Sequence, residues 1–142
     1  MAHGFDLNRF VAAQARHYAA ALEELRAGRK RTHWMWFIFP QHVALGRSET
    51  ARFYGIGSAE EARAYLAYPM LGQRLRECCA ALLVHRDERP EAIMGGVDAL
   101  KLKSSMTLFE AVADDPAPFA AVLDAFYGGE RDGATLELLG RG

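Results

Sequence analysis

Two segments of the 142-residue chain set chemically unusual residues side by side. The first, Lys30-Arg31-Thr32-His33-Trp34-Met35-Trp36-Phe37-Ile38-Phe39-Pro40-Gln41, places two tryptophans directly behind a cationic turn. Flat aromatic faces beside phosphate-seeking groups are what stacking and neutralising a nucleotide-like ligand requires. On this reading Lys30 and Arg31 neutralise the ligand and Trp34 or Trp36 stacks on its ring. Gln41 completes the binding set, and His33 carries a proton. The same run also reads as a large aromatic core anchor with a hydrated basic collar. The second segment is Asp98-Ala99-Leu100-Lys101-Leu102-Lys103-Ser104-Ser105-Met106-Thr107-Leu108-Phe109. On a helix, Asp98, Lys101 and Ser105 stand at i, i+3 and i+7, so an acid, a base and a hydroxyl share one face. Lys101 then adds charge neutralisation, and Ser104 or Ser105 donates hydrogen bonds. If an N-glycosidic bond is hydrolysed, Asp98 stabilises an oxocarbenium-like state or orients water. The plainer reading makes Asp98 a helix N-cap and Asp98–Lys101 an exposed pair of little energetic weight.

Familiar catalytic signatures are absent: the chain has no GxGxxG, no GxxxxGKS/T, no HExxH and no GxSxG. Cys78 and Cys79 are adjacent, and a vicinal pair is strained against ordinary disulfide geometry. Neither the cysteines nor the five scattered histidines have zinc-ligand spacing, so no metal and no cofactor are expected, and both thiols read as helix core. The 17 Lys and Arg nearly balance the 18 Asp and Glu, which argues against a general nucleic-acid binder. The charges are unevenly spread: five bases and no acid fall between Arg26 and Arg47, and seven acids with two bases follow from Glu110 onward. Such polarity steers a small anion towards one end, or lets the basic loop dock an acidic partner or a second copy of the chain.

These residues need elements to hold them. The chain's 41 Ala and Leu against 13 Ile, Val and Thr favour helix over strand, so residues 1–142 are expected to form a single all-α domain. Helix is predicted from Leu7 to Ala27, with Asp6 as N-cap and Gly28 as the stop. WMWFIF is apolar on every face and reads as a short buried helix capped by Thr32 and ended by Pro40, with a buried strand as the alternative. Ser58 and Glu61 form a capping box opening a helix from Ala59 to Ala67. Pro69 opens a helix whose Leu71, Leu75, Cys78, Cys79, Leu82 and Leu83 make one stripe. Further helices are predicted for a turn at Pro90, for Ala99–Ala113 capped by Asp98, for Phe119–Tyr127, and for Thr135–Leu139. Leu102, Met106, Phe109 and Ala113 would line the inner face of the Ala99–Ala113 helix. No uncharged apolar stretch, Trp34–Phe39 included, approaches the roughly 20 residues a bilayer span needs. The opening MAHGFDLNRF lacks a basic stretch followed by an apolar run, so a cytoplasmic protein without a membrane partner is expected.

The motifs RFVAAQ, GRKRTHWMWFIFPQ, LGRS, AYLAYPMLGQRLRECCAALL and DALKLKSSMTLF resemble a bacterial and fungal family of uncharacterised domains. Some of its members carry the label calpastatin. Tyr68 stands where that family usually has His before the proline. The resemblance implies a compact all-α fold and brings no established activity. A fainter likeness is to the all-α N-glycosidases that process ADP-ribose-related and riboflavin-precursor compounds. They have a Pro-x-Leu helix opening, here Pro69-Met70-Leu71, then a spacer and an Asp before a Trp-Gly pair. Asp98 matches that Asp, but Leu100-Lys101 stands where the aromatic pair would be. Together these readings favour a site for a small anionic, nucleotide-like metabolite, with hydrolysis of an N-glycosidic bond as the specific chemistry. A non-catalytic helical interaction module is the alternative.

Overall fold

A computed structural model describes residues 4–141. The first helix, α1 (Asn8–Ala27), ends where Gly28 takes φ +77°, a left-handed conformation that suits a residue without Cβ. Asp6 does not cap its start; Leu7 holds the cap position with no side-chain hydrogen bond, and the Asp6 carbonyl instead accepts from Arg9. The Arg9 guanidinium also binds Glu61 at 2.9 Å and the carbonyls of Phe53 and Gly55, which fastens α1 to later segments.

WMWFIF contains a single helical turn, α2 (Met35–Ile38), rather than a strand. Thr32 does not cap it, because its hydroxyl is given to Glu24. Beyond Pro40 the chain makes an excursion that sequence periodicity did not reveal: a 3-10 turn (Val43–Leu45) and the short helix α3 (Glu49–Phe53), capped by the Ser48 hydroxyl. Two backbone hydrogen bonds close its neck, Val43 N–H to the Ile56 carbonyl at 2.8 Å and Ile56 N–H to the Gln41 carbonyl at 2.9 Å. Gly55 is required there, since a Cβ would lie 2.5 Å from the Val43 Cα.

Helix α4 (Ala59–Ala67) opens on Ser58 as expected, with the hydroxyl accepting from Glu61 N–H. The Glu61 carboxylate reaches back one residue further than the capping-box pattern predicts, to Gly57 N–H at 2.8 Å. Pro69 starts α5 (Pro69–Leu83) and Pro90 starts α6 (Pro90–Met94). Helix α7 (Gly96–Val112) begins earlier than predicted, with Gly95 at φ +85° in the cap position, so Asp98 lies in the first turn and caps nothing. Then follow α8 (Ala117–Tyr127) and α9 (Gly133–Leu138), the latter capped by the Asp132 carboxylate.

Helix α7 is the axis of the bundle, packed against α4, α6, α8 and α9. Its burial is wider than the predicted stripe: Leu102, Met106 and Phe109 are buried, and so are Ser104, Ser105, Thr107 and Leu108. Ala113 stays only half-buried, just past the helix end. Aromatic contacts thread the core, with Phe10 edge-on to Tyr65 at 5.0 Å, Tyr65 against Phe109 at 5.2 Å and Phe109 against Phe119 at 6.0 Å. Cys78 and Cys79 are free thiols in this core, and the Cys79 sulfur lies 3.6 Å from that of Met106. The all-α class expected from composition is the class observed, and no strand forms among the described residues.

Candidate ligand-binding site

The basic turn between α1 and α2 is organised by one acid. Glu24, buried at the end of α1, accepts hydrogen bonds from Arg31 N–H (2.7 Å), Thr32 N–H (3.0 Å), the Thr32 hydroxyl (2.7 Å) and Trp34 Nε1–H (2.9 Å). Burial alone would raise its pKa, but these donors outweigh burial and bring it down from the ordinary 4.5 to about 2. Trp34 is thereby fixed in the core at 1% exposure with its N–H satisfied, which removes it from ligand stacking. Lys30 turns inward as well: its ammonium meets Asp98 at 3.0 Å and lies over the Trp34 ring at 4.8 Å. Only 7% of the Lys30 side chain is exposed. Lys30 and Asp98 therefore neutralise each other. Arg31 and His33 are exposed on the outer surface of this turn.

A cavity of about 520 Å³ opens between two walls. One wall is Met35, Trp36 and Phe39 of the α2 region with the excursion from Gln41 to Gly55. The other is one side of α7, with Val97, Leu100, Lys101 and Ser104, joined by Asp132 and Ala134 at the start of α9. The sequence-predicted residues Trp36, Gln41, Lys101 and Ser104 thus line one cavity, which the two singled-out segments face from opposite sides. Lys30, Arg31, His33, Trp34, Asp98 and Ser105 do not line it. Ser105 faces the protein interior, where its hydroxyl is buried without a hydrogen-bond partner. The i, i+3, i+7 face breaks down because a helix buried on most sides sends its three polar groups to three environments.

The polar groups of the cleft are under-partnered. The Lys101 ammonium stands 5.7 Å from the centre of the Trp36 ring and makes no ion pair among the described residues. An aromatic face holds a cation in place without cancelling its charge. Gln41 Oε1 is buried and has no hydrogen-bond donor. Arg47, exposed on the rim, brings a second cation. Asp132 brings a carboxylate whose Oδ2 accepts from Ser104 Oγ (3.1 Å), Thr135 N–H (3.1 Å) and Thr135 Oγ1 (2.5 Å). The site accordingly offers two cations, a stacking surface, an acceptor amide and a fixed carboxylate. Among the described residues no three His, Cys, Asp or Glu gather as a metal site, and no helix is long and apolar enough to cross a membrane.

A family model described as a protein of unknown function (DUF1810) matches residues 4–139. The chain belongs to the DUF1810 family. A solved structure, that of the conserved hypothetical protein Rv1873 from Mycobacterium tuberculosis, is 52% identical to this DUF1810 chain. The two superpose with a TM-score of 0.94, covering 96% of this chain and 97% of that one. No curated protein matches. The names carried by the matches state no activity, and nothing in them supports the calpastatin label or the N-glycosidase likeness.

Arg47, Tyr54 and Asp132 are cleft residues of this DUF1810 protein that sequence reasoning missed. The Asp132-to-Thr135 spacing is a helix-cap signature and signals a cap, not a cleft. Arg47 and Tyr54 sit on the clasped excursion, whose docking against α1 and the α2 region through Arg9, Phe10 and Phe37 is purely tertiary.

Proposed function

We propose that the cleft of this DUF1810 protein binds a small anionic metabolite bearing a flat ring, of about nucleotide size. The observation that carries the reading is Lys101, an ammonium poised over the half-buried Trp36 indole with no anion of its own. Arg47 adds charge at the rim, Gln41 offers a buried acceptor to an N–H of the ring, and the volume suits a ligand of that class. Of the residues suggested by sequence, Trp36, Gln41, Lys101 and Ser104 keep binding roles. Lys30 and Asp98 become the strut that holds the turn to α7.

Hydrolysis of an N-glycosidic bond is the specific reaction that fits such a ligand. Water adds across the C1′–N bond, its hydroxyl going to C1′ and its proton to the leaving nitrogen, and a carboxylate offsets the cationic charge that develops on the sugar. Asp98 is spent on Lys30, so Asp132 is the carboxylate available inside the cleft.

The test is calorimetric titration with ADP-ribose, nucleotides and sugar phosphates, followed by chromatography of each binder after incubation with the protein. At least one should bind, and Lys101→Met should weaken it tenfold or more while the melting temperature holds within about 2 °C, since truncating a solvated charge costs little. A binder indifferent to Lys101→Met, or a panel with no binder, sinks the binding proposal. Binding without product removes the hydrolytic part.

A further inference from the structure

We infer that Asp132 selects the sugar of the ligand, accepting hydrogen bonds from the vicinal hydroxyls of a ribosyl group, so that the cleft takes ribonucleotides over their deoxy counterparts. This inference rests on the binding reading above.

The argument starts from how the carboxylate is used. Oδ2 alone does the capping work: it receives Thr135 N–H and the Thr135 hydroxyl, and it takes the Ser104 hydroxyl from α7 as a third donor. The Asp132 backbone is pinned too, its N–H given to Thr107 Oγ1 at 3.0 Å. The carboxylate is therefore held from two sides and cannot swing away. Oδ1 has no donor among the described residues, is not sealed from solvent, and no cation pairs with the group. A carboxylate is an acceptor only, so what Oδ1 asks of a ligand is a donor.

Charge then orders the ligand along the cleft. Asp132 contacts Ser104, and Ser104 lies one helical turn beyond Lys101 on α7, so the carboxylate and the ammonium line the same cavity without forming an ion pair. A phosphate beside Asp132 would meet like charge, so the anionic end belongs with Lys101 and Arg47. The Asp132 end must take neutral donors. Hydroxyls on a pentose satisfy both conditions within the span of one sugar, and two adjacent hydroxyls can share one carboxylate oxygen. Gln41 supplies an independent sign that this region is short of donors, since it lines the same cavity and its buried Oε1 has none.

Asn caps helices as well as Asp does, so Asp132→Asn keeps the cap while replacing the Oδ1 acceptor by an amide donor. The experiment measures binding of the four ribonucleoside 5′-monophosphates and of the matching 2′,3′-dideoxy compounds to the wild type, Asp132→Asn and Lys101→Met. At least one ribonucleotide should bind the wild type tenfold or more tighter than its dideoxy partner. Asp132→Asn should erase that ratio, lowering ribonucleotide affinity about tenfold and leaving dideoxy affinity within twofold. Its melting temperature should match the wild type, which separates the effect from loss of the cap. Equal binding of both sugars by the wild type, or a ratio preserved in Asp132→Asn, overturns the inference while Lys101→Met still upholds the binding site. Failure of every ribonucleotide to bind overturns the inference together with the reading beneath it.

Discussion

Replacing Glu24 by Gln should cost this protein about 3 kcal/mol at neutral pH and remove much of its acid sensitivity. Gln is nearly isosteric, so packing is retained; what changes is charge. The native carboxylate ionises at about 2 against an ordinary 4.5, a difference that corresponds to about 3 kcal/mol of preference for the charged form in the folded state. Hydrogen bonds give the same order of magnitude. Three donors converge on Oε1 and one on Oε2, and a bond to a charged acceptor is roughly twice as strong as its neutral counterpart. Because the folded value lies below the unfolded one, the contribution is complete above about pH 4.5 and is withdrawn as the pH falls towards 2. Urea unfolding of wild type and Glu24→Gln from pH 7 to pH 3 measures this directly. The gap should hold down to about pH 5 and shrink by about 2 kcal/mol by pH 3. A gap under about 1 kcal/mol at pH 7, or one of constant size down to pH 3, would refute the claim that four donors hold this carboxylate ionised.

Lys30→Met should destabilise by about 3 kcal/mol, because it strands Asp98 in a largely buried setting, and Asp98→Asn should do likewise. Additive effects in a double-mutant cycle would contradict the pairing. Ser105→Ala should stabilise by about 1 kcal/mol, since it deletes a buried hydroxyl with no partner, and should leave ligand binding untouched. Denaturant midpoints at matched slopes decide that case, and a loss of stability would reveal a partner for the hydroxyl.

The legible parts of the chain were those with local causes. Gly28, Ser58, Pro69 and Pro90 each mark a helix boundary through their own backbone or side-chain chemistry, and each does so in the structure. Helix α3 and the 3-10 turn before it are too short to show a period, and they escaped notice. Asp98 misled for a sharper reason. An acid near a helix start looks like a cap, yet Gly95 and Gly96 let α7 begin a turn sooner, and Lys30 claimed the carboxylate from 68 positions upstream. The same pairing explains why the cationic turn looked free: the acids that satisfy it, Glu24 and Asp98, come from α1 and α7. Trp36 and Lys101 were found because aromatic and basic residues that sit within or beside core runs are visible in one dimension. Asp132 was not, because its place in the cleft depends on α9 docking onto α7.

The adjacent thiols of α5 give the fold a clock. Burial pushes the Cys78 thiol up to about 12 and that of Cys79 higher still, so neither presents a thiolate to reagent while α5 stays seated. Alkylation at neutral pH must wait for α5 to part from its neighbours α1, α4 and α8, and its rate counts those openings. When reclosing outruns labelling, that rate reports the free energy of opening, and at high reagent concentration it reports the opening rate itself. Because the two residues point from neighbouring positions on one helix into one core, a helix that lifts as a unit labels both at the same pace. One that twists open labels them in order.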